Sequence, residues 1–128
     1  MLFRSLAAFD VFALPSYANE GVPQALLQAM IARVPCVTTS VGGIPEIARN
    51  GETARIVNAA DSKALARAID ALLADPTEAQ RLAANAHAFV MPRYGLATML
   101  DRMEVVFRRA LAQRSDQDRA YKQAGAAR

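Results

Sequence analysis

The chain has 128 residues, of which 53% are hydrophobic and 21% are charged, a balance typical of one folded domain rather than of a disordered segment. Residues 1–100 carry eight basic and eight acidic side chains, so the net charge of +3 lies in the last 28 residues. Because the body of the chain has no basic excess, we expect no nucleic-acid partner. No apolar stretch approaches the ~20 residues of a membrane-spanning helix.

The single cysteine, Cys36, excludes an internal disulfide and a cysteine-rich zinc site, and it fits a reducing compartment. We therefore expect a cytoplasmic protein, either free or at the inner face of the membrane. A rival interpretation takes residues 6–14 as the apolar part of a signal peptide, but Asp10 interrupts that run. Peripheral membrane contact through the basic last helix stays an alternative to an ordinary solvated face.

The first part of the chain predicts two short strands joined by a helix. The end of an earlier helix is predicted from apolar residues at helical spacing, namely Leu2, Phe3, Leu6 and Ala7. The uninterrupted run Val11–Leu14 predicts a strand covered on both faces, as in a parallel sheet. A helix then begins at Pro23, and its inward stripe comprises Val22, Leu26, Leu27, Met30 and Ile31. Cys36–Thr39 predicts the second strand.

A glycine-rich turn over residues 40–45 and a helical turn over 45–49 precede a third predicted strand, Arg55–Val57. Asp61 is predicted to cap a helix that continues through Ala74. Its inward side chains are predicted to be Leu65, Ile69, Leu72 and Leu73. The chain then breaks at Asp75 and Pro76.

Two more helices are predicted after this break. The first begins at a capping box formed by Thr77 and Gln80 and ends at Pro92 and Gly95. The second covers residues 96–113, with an inward stripe of Met99, Leu100, Met103, Val106, Phe107 and Leu111. We expect one domain over 1–113 and a basic tail over 114–128 that lacks apolar periodicity and frays.

The order of these elements is typical of an α/β layer with right-handed crossovers. It predicts a partial Rossmann-like parallel sheet of about three strands with flanking helices. Since the first strand would leave a hydrogen-bonding edge without a neighbour, we expect further strands upstream.

Polar residues and glycines follow the first two predicted strands, where parallel sheets bind their ligands. Ser16, Glu20 and Gly21 follow the first strand, and Gly42 and Gly43 follow the second. Glu20 comes just before a helix N-terminus, where a carboxylate accepts sugar hydroxyls or caps the helix, and the spacing does not choose between these roles. Ser16 and the two glycines are candidate loop contacts to a ligand, although a glycine pair also forms ordinary tight turns.

Four other residues have ordinary structural explanations. Gln28 is either a second polar contact or, more commonly, an exposed helix residue. Glu46 interacts with the dipole of its own short helix. Cys36 is expected to be a small buried hydrophobe, and the single histidine, His87, a satisfied or surface side chain. No metal-ligand cluster and no nucleophile elbow can be assembled.

Three runs of the sequence together closely resemble the C-terminal, nucleotide-sugar-binding domain of family 4 glycosyltransferases: Asp10–Ser16, Glu20–Met30 and Pro35–Glu46. The similarity covers about residues 2–112. It implies the second half of the C-terminal domain of the GT-B architecture, in which two Rossmann-like domains face each other. It also implies that an N-terminal acceptor-binding domain is missing here or is supplied by a partner chain.

The signature of this family is a glutamate, seven residues and a second glutamate. By position, the resemblance implies that Glu20 is the catalytic-site carboxylate that holds the donor sugar. It places Gln28 where the family has the glutamate that binds the ribose, and an amide can still bond vicinal hydroxyls without charge assistance. The backbone at Gly21 and Val22 is implied as a further donor contact. No metal or other cofactor is implied.

Two positions depart from the family in backbone chemistry. Arg33 and Ala54 stand where the family generally has glycine before a strand. If Arg33 has a positive φ, the arginine costs about 1 kcal/mol or more.

The resemblance implies a retaining glycosyltransferase that moves a hexosyl group from a nucleoside diphosphate sugar to an unknown acceptor. In the family, the basic residues that neutralise the diphosphate precede the part that this chain resembles, so the isolated chain is expected to be inactive. Two alternatives stay open: a non-catalytic, truncated nucleotide-binding or interaction module, and a sugar-nucleotide epimerase of similar architecture.

Overall fold

The computed structural model describes residues 5–6 and 8–126, with side chains described as far as residue 114. Ser5 and Leu6 are helical, whereas Leu2, Phe3 and Ala7 of the predicted first helix lie outside the described residues. The chain divides into two compact units, Met1–Pro92 and Arg93–Arg128.

The first unit contains a parallel sheet in the order β1-β2-β3, formed by β1 (Phe12–Leu14), β2 (Cys36–Thr38) and β3 (Arg55–Ile56). Ala13 lies opposite Val37, and Val37 lies opposite Arg55. The predicted α/β class and the three parallel strands are therefore confirmed.

The helices are α1 (Gln24–Ile31), α2 (Ser62–Ala74), α3 (Pro76–Tyr94) and α4 (Leu96–Ala126), and a 3-10 turn covers Ile44–Glu46. Asp61 caps α2 as predicted, because its Oδ1 accepts the Ala64 N–H at 2.8 Å. Among the helices that the structure describes, none is long and apolar enough to cross a membrane.

The core of the sheet lies over β2, whose three residues are all buried. Val37 packs with Leu72 of α2 and Leu82 of α3, and Leu65 and Ile69 cover the edge of this cluster. The prediction that β1 is covered on both faces is wrong, because Ala13 is exposed and its two neighbours are half-buried. Within the described residues β1 pairs only with β2, so it is an edge strand with one unpaired side.

Several predicted details of the helices are also wrong. Leu73 is 52% exposed, and the stripe predicted to face inward on α4 is exposed from Met99 to Leu111. Asp75 replaces the predicted capping box, because its Oδ1 accepts the Glu78 N–H at 3.0 Å and α3 begins at Pro76. Pro92 lies inside α3, and α4 continues past residue 113 to Ala126.

The end of α1 carries the strained arginine that the sequence suggested. Arg33 has φ +60°, its N–H donates to the Met30 carbonyl, and the Val34 N–H donates to the Ala29 carbonyl. These two bonds form a Schellman motif, in which the residue with positive φ is usually glycine. Ala54, the other departure from glycine, has no positive φ and carries no such strain.

Replacing the strained arginine should therefore stabilise the protein. We expect Arg33→Gly to raise the free energy of unfolding by about 1 kcal/mol, since glycine adopts this φ freely and only part of the gain is lost to its freer unfolded chain. Urea denaturation measures the change. Arg67→Gly, at an exposed position inside α2, is the control and should lose about 1 kcal/mol. Equal losses in both variants would show that the Arg33 backbone is not strained.

Candidate functional site

Two buried threonines at the end of β2 fix the chain that leaves β1. Thr38 Oγ1 donates a hydrogen bond to the Leu14 carbonyl at 3.0 Å, and Thr39 Oγ1 donates to the Ser16 carbonyl at 2.6 Å. Both threonines are essentially inaccessible to solvent. Because half-buried carbonyls at a strand end need partners, these hydroxyls extend the contact between the two chain segments beyond the last residue of β1.

Glu20 lies in the loop fixed by these bonds, at the carboxyl edge of the sheet. The Ser16 hydroxyl donates to Glu20 Oε1 at 2.6 Å, and the glutamate is half-buried. Within the described residues, its second oxygen, Oε2, has no hydrogen-bond partner. The carboxylate is thus oriented by one hydroxyl while one oxygen remains available to accept a bond from another molecule.

The helix after this loop is not capped by the glutamate. The N-cap of α1 is Pro23, in an extended conformation, and no side chain makes a cap bond. Of the two roles that the sequence left open for Glu20, helix capping is therefore removed. The carboxylate instead bonds to Ser16, four residues earlier in the chain.

Gln28 lies on the second turn of α1, half-buried rather than fully exposed. Its Oε1 atom is buried and has no hydrogen-bond partner among the residues that the structure describes. An unpaired buried acceptor costs about 1–3 kcal/mol, so a group that donates a hydrogen bond to this oxygen would remove that cost.

The turn after β2 contacts the main chain of the glutamate loop. The Gly43 N–H donates to the Glu20 carbonyl at 2.8 Å. Gly42 has φ +57°, and a Cβ built on it would lie 2.0 Å from the same carbonyl oxygen. Structure thus brings together Ser16, Glu20, Gly42 and Gly43, which the sequence singled out separately.

The other candidates take structural roles. His87 Nδ1 lies 2.8 Å from the Ile31 carbonyl at the end of α1, so it is a satisfied histidine as predicted. Cys36 is 1% exposed, its thiol donates to the Val34 carbonyl at 3.1 Å, and burial raises its pKa to about 12. No group of three or more potential metal ligands occurs among the described residues. The threonines that anchor the site were not identified from sequence, since they read there only as β-branched strand residues.

A family model described as glycosyl transferases group 1 matches residues 2–75. A D-inositol 3-phosphate glycosyltransferase of Mycobacterium sp. (strain KMS) is 36% identical over 87 residues, which are 68% of this chain and 20% of that protein. HepE of Anabaena in complex with UDP-glucose has a TM-score of 0.79 and 25% identity over 82% of this chain and 29% of its own.

The C-terminal domain of a glycosyl transferase group 1 family protein, LpcC of Francisella tularensis, has a TM-score of 0.66 and 26% identity over 72% of this chain and 47% of its own. The chain thus spans less than half the length of each of these relatives. The structural neighbours share the GT-B, Rossmann-like fold that the sequence resemblance implied, which confirms that expectation.

The buried thiol gives a direct test of whether cysteine chemistry belongs to the site. In the folded chain at about pH 8, we expect Cys36 to react with iodoacetamide about a thousandfold more slowly than a free thiol, because a pKa of about 12 leaves very little thiolate. Mass spectrometry of the native and urea-unfolded chain measures both rates. A native rate close to the unfolded rate would make Cys36 a candidate nucleophile.

Proposed function

The chain belongs to the glycosyl transferases group 1, and from that membership we propose that it binds the donor of a retaining glycosyltransferase that moves a hexosyl group to an acceptor. The donor is a nucleoside diphosphate sugar, and the proposal includes no metal or other cofactor. The observation that carries it is the Glu20 carboxylate, oriented by Ser16 at the carboxyl edge of the sheet with one oxygen available.

UDP-glucose in the related HepE structure supports this class of donor. In our proposal the sugar hydroxyls donate to Glu20 Oε2, and a charge-assisted bond of this kind is roughly twice as strong as a neutral one. Ser16 keeps the carboxylate in place before the donor arrives, so little ordering is required on binding. The main chain at Gly21 and Val22, directly after Glu20, lies along the sugar.

Gln28 is assigned to the nucleoside side of the donor. Its buried, unpaired Oε1 supports this role, because a ribose hydroxyl would donate a hydrogen bond to it. The side chain would have to turn to meet the ribose, since this oxygen is buried. The neutral amide fits this position, since a carboxylate there would bury a charge.

The chemical step needs more than these residues provide. A departing diphosphate is stabilised chiefly by cations, and the proposed site contains one carboxylate and no basic side chain. We therefore assign donor binding to this chain and expect no appreciable turnover by the chain alone. Epimerised sugar after incubation with UDP-glucose would instead favour a sugar-nucleotide epimerase.

The role of Glu20 is tested by comparing two ligands. We expect the wild type to bind UDP-glucose more tightly than UDP in calorimetric titrations. Glu20→Gln should lower the affinity for UDP-glucose about tenfold or more and leave the affinity for UDP unchanged, because only the sugar loses its charged acceptor. Glu52→Gln, at an exposed carboxylate paired with Arg49, is the control and should change neither affinity.

If Glu20→Gln lowered the affinities for both ligands equally, Glu20 would not contact the sugar. No heat from either ligand with the wild type would favour the non-catalytic interaction module instead.

The role of Gln28 predicts opposite effects on stability and on binding. We expect Gln28→Leu to raise the free energy of unfolding, measured without ligand, by about 1 kcal/mol, because the unpaired oxygen is removed. The same variant should lower the affinities for UDP and UDP-glucose by the same factor. Urea denaturation and calorimetry measure the two effects. Gln24→Leu, at an exposed position on the same helix, is the control and should change neither. A destabilised Gln28→Leu variant with unchanged affinities would show a purely structural glutamine.

A further inference from the structure

The glycine pair after β2 has a role that does not require contact with the donor. We propose that Gly42 and Gly43 are positioning residues for Glu20, forming a surface without side chains on which the main chain of residues 20–22 rests. This inference depends on the proposed function, since it explains how the sugar-binding carboxylate is held. The glycines are needed because they contact the glutamate loop and not because they contact the donor.

Two independent constraints exclude a side chain at position 42. Its φ of +57° lies in the region that glycine favours. A Cβ at this position would lie 2.0 Å from the Glu20 carbonyl oxygen and 2.6 Å from the Glu20 nitrogen. These are main-chain atoms that no rotamer change can move, so a side chain would have to displace the Glu20 backbone itself.

Gly43 shows the contact without the conformational constraint. Its φ of −84° and ψ of 1° are accessible to any residue. A Cβ there would nevertheless lie 2.8 Å from the Gly21 carbonyl carbon and 2.9 Å from the Val22 nitrogen. At position 43, glycine is therefore required by the close approach of the other loop alone.

Gly51 and Gly21 do not share this property. Gly51 has φ +74°, and Gly21 has no positive φ, but a Cβ on either would meet no heavy atom within 4 Å. Close packing against the main chain thus distinguishes the pair that faces Glu20 from Gly21 and Gly51.

The contact completes the restraint of the glutamate. Ser16 holds its carboxylate, while the Gly43 N–H holds its carbonyl from the opposite loop at 2.8 Å. A shift of the Glu20 main chain by about 1 Å would break this alignment, and misplacement on that scale can cost up to about 100-fold in a positioned contact.

Alanine variants test the proposal with the whole chain. Gly42→Ala and Gly43→Ala should lose at least about tenfold of the preference for UDP-glucose over UDP, with UDP affinity unchanged. Gly51→Ala is the matched control, because it has the same positive φ without the contact, and it should keep the preference. If Gly42→Ala does not fold, Gly43→Ala carries the test, since its φ is unstrained.

A double-mutant cycle separates positioning from direct contact. Combining Gly43→Ala with Glu20→Gln should give no further loss beyond Glu20→Gln alone, because both changes act on one interaction. Additive losses would mean that the glycine contacts the donor itself and would overturn the proposal, as would an unchanged preference in Gly43→Ala.

Amide hydrogen exchange tests, without any ligand, whether the glycine pair holds the main chain of Glu20. The residue-43 amide should be protected in the wild type and in Gly51→Ala, and should exchange at least about tenfold faster in Gly42→Ala. An unprotected amide in the wild type would overturn the proposal. Failure of the wild type to bind UDP-glucose would overturn the proposed function, whereas this measurement would still establish whether the glycines hold Glu20.

Discussion

Hydrogen bonds from the two threonines at the end of β2 hold the chain that leaves β1, and the site depends on them. Regular pairing ends near the half-buried carbonyls of Leu14 and Ser16, which accept hydrogen bonds from Thr38, the last residue of β2, and from Thr39 directly after it. Polar side chains are tolerated at these buried positions because each has a partner. These bonds fix the loop that contains Glu20 to the end of the sheet, although none of the loop's residues belongs to a strand.

Helix α1 carries two features that lower its stability, and they differ in kind. The unpaired oxygen of Gln28 is an unsatisfied polar group on a side chain that we assign to the proposed site. The positive φ of Arg33 is a local backbone cost at the far end of the same helix, before the amino end of β2. Nothing in the structure explains the arginine. Only the first feature lies at the proposed site.

Sequence periodicity predicted the strands, α1, α2 and the cap at Asp61, because each depends on neighbours along the chain. It failed where two local solutions compete, as at Asp75 and Thr77, since either side chain can cap a helix and the choice depends on where the chain turns. It also failed for the stripe on α4, whose spacing is helical but whose side chains are exposed. Amphipathic spacing predicts a helix and says nothing of what covers its apolar side.

The candidate residues could be found from sequence, but the reason for the glycine pair could not. Gly42 and Glu20 are 22 positions apart, and only the approach of two loops reveals that a methyl group would collide with a carbonyl. The side chains suited to positions 20 and 28 also depend on the packing around each position. The acidic group lies at the half-buried position where a hydroxyl supports it, whereas the position with a buried oxygen carries a neutral amide. Desolvation penalises a buried carboxylate far more than an amide, so the packing around residue 28 favours the neutral side chain.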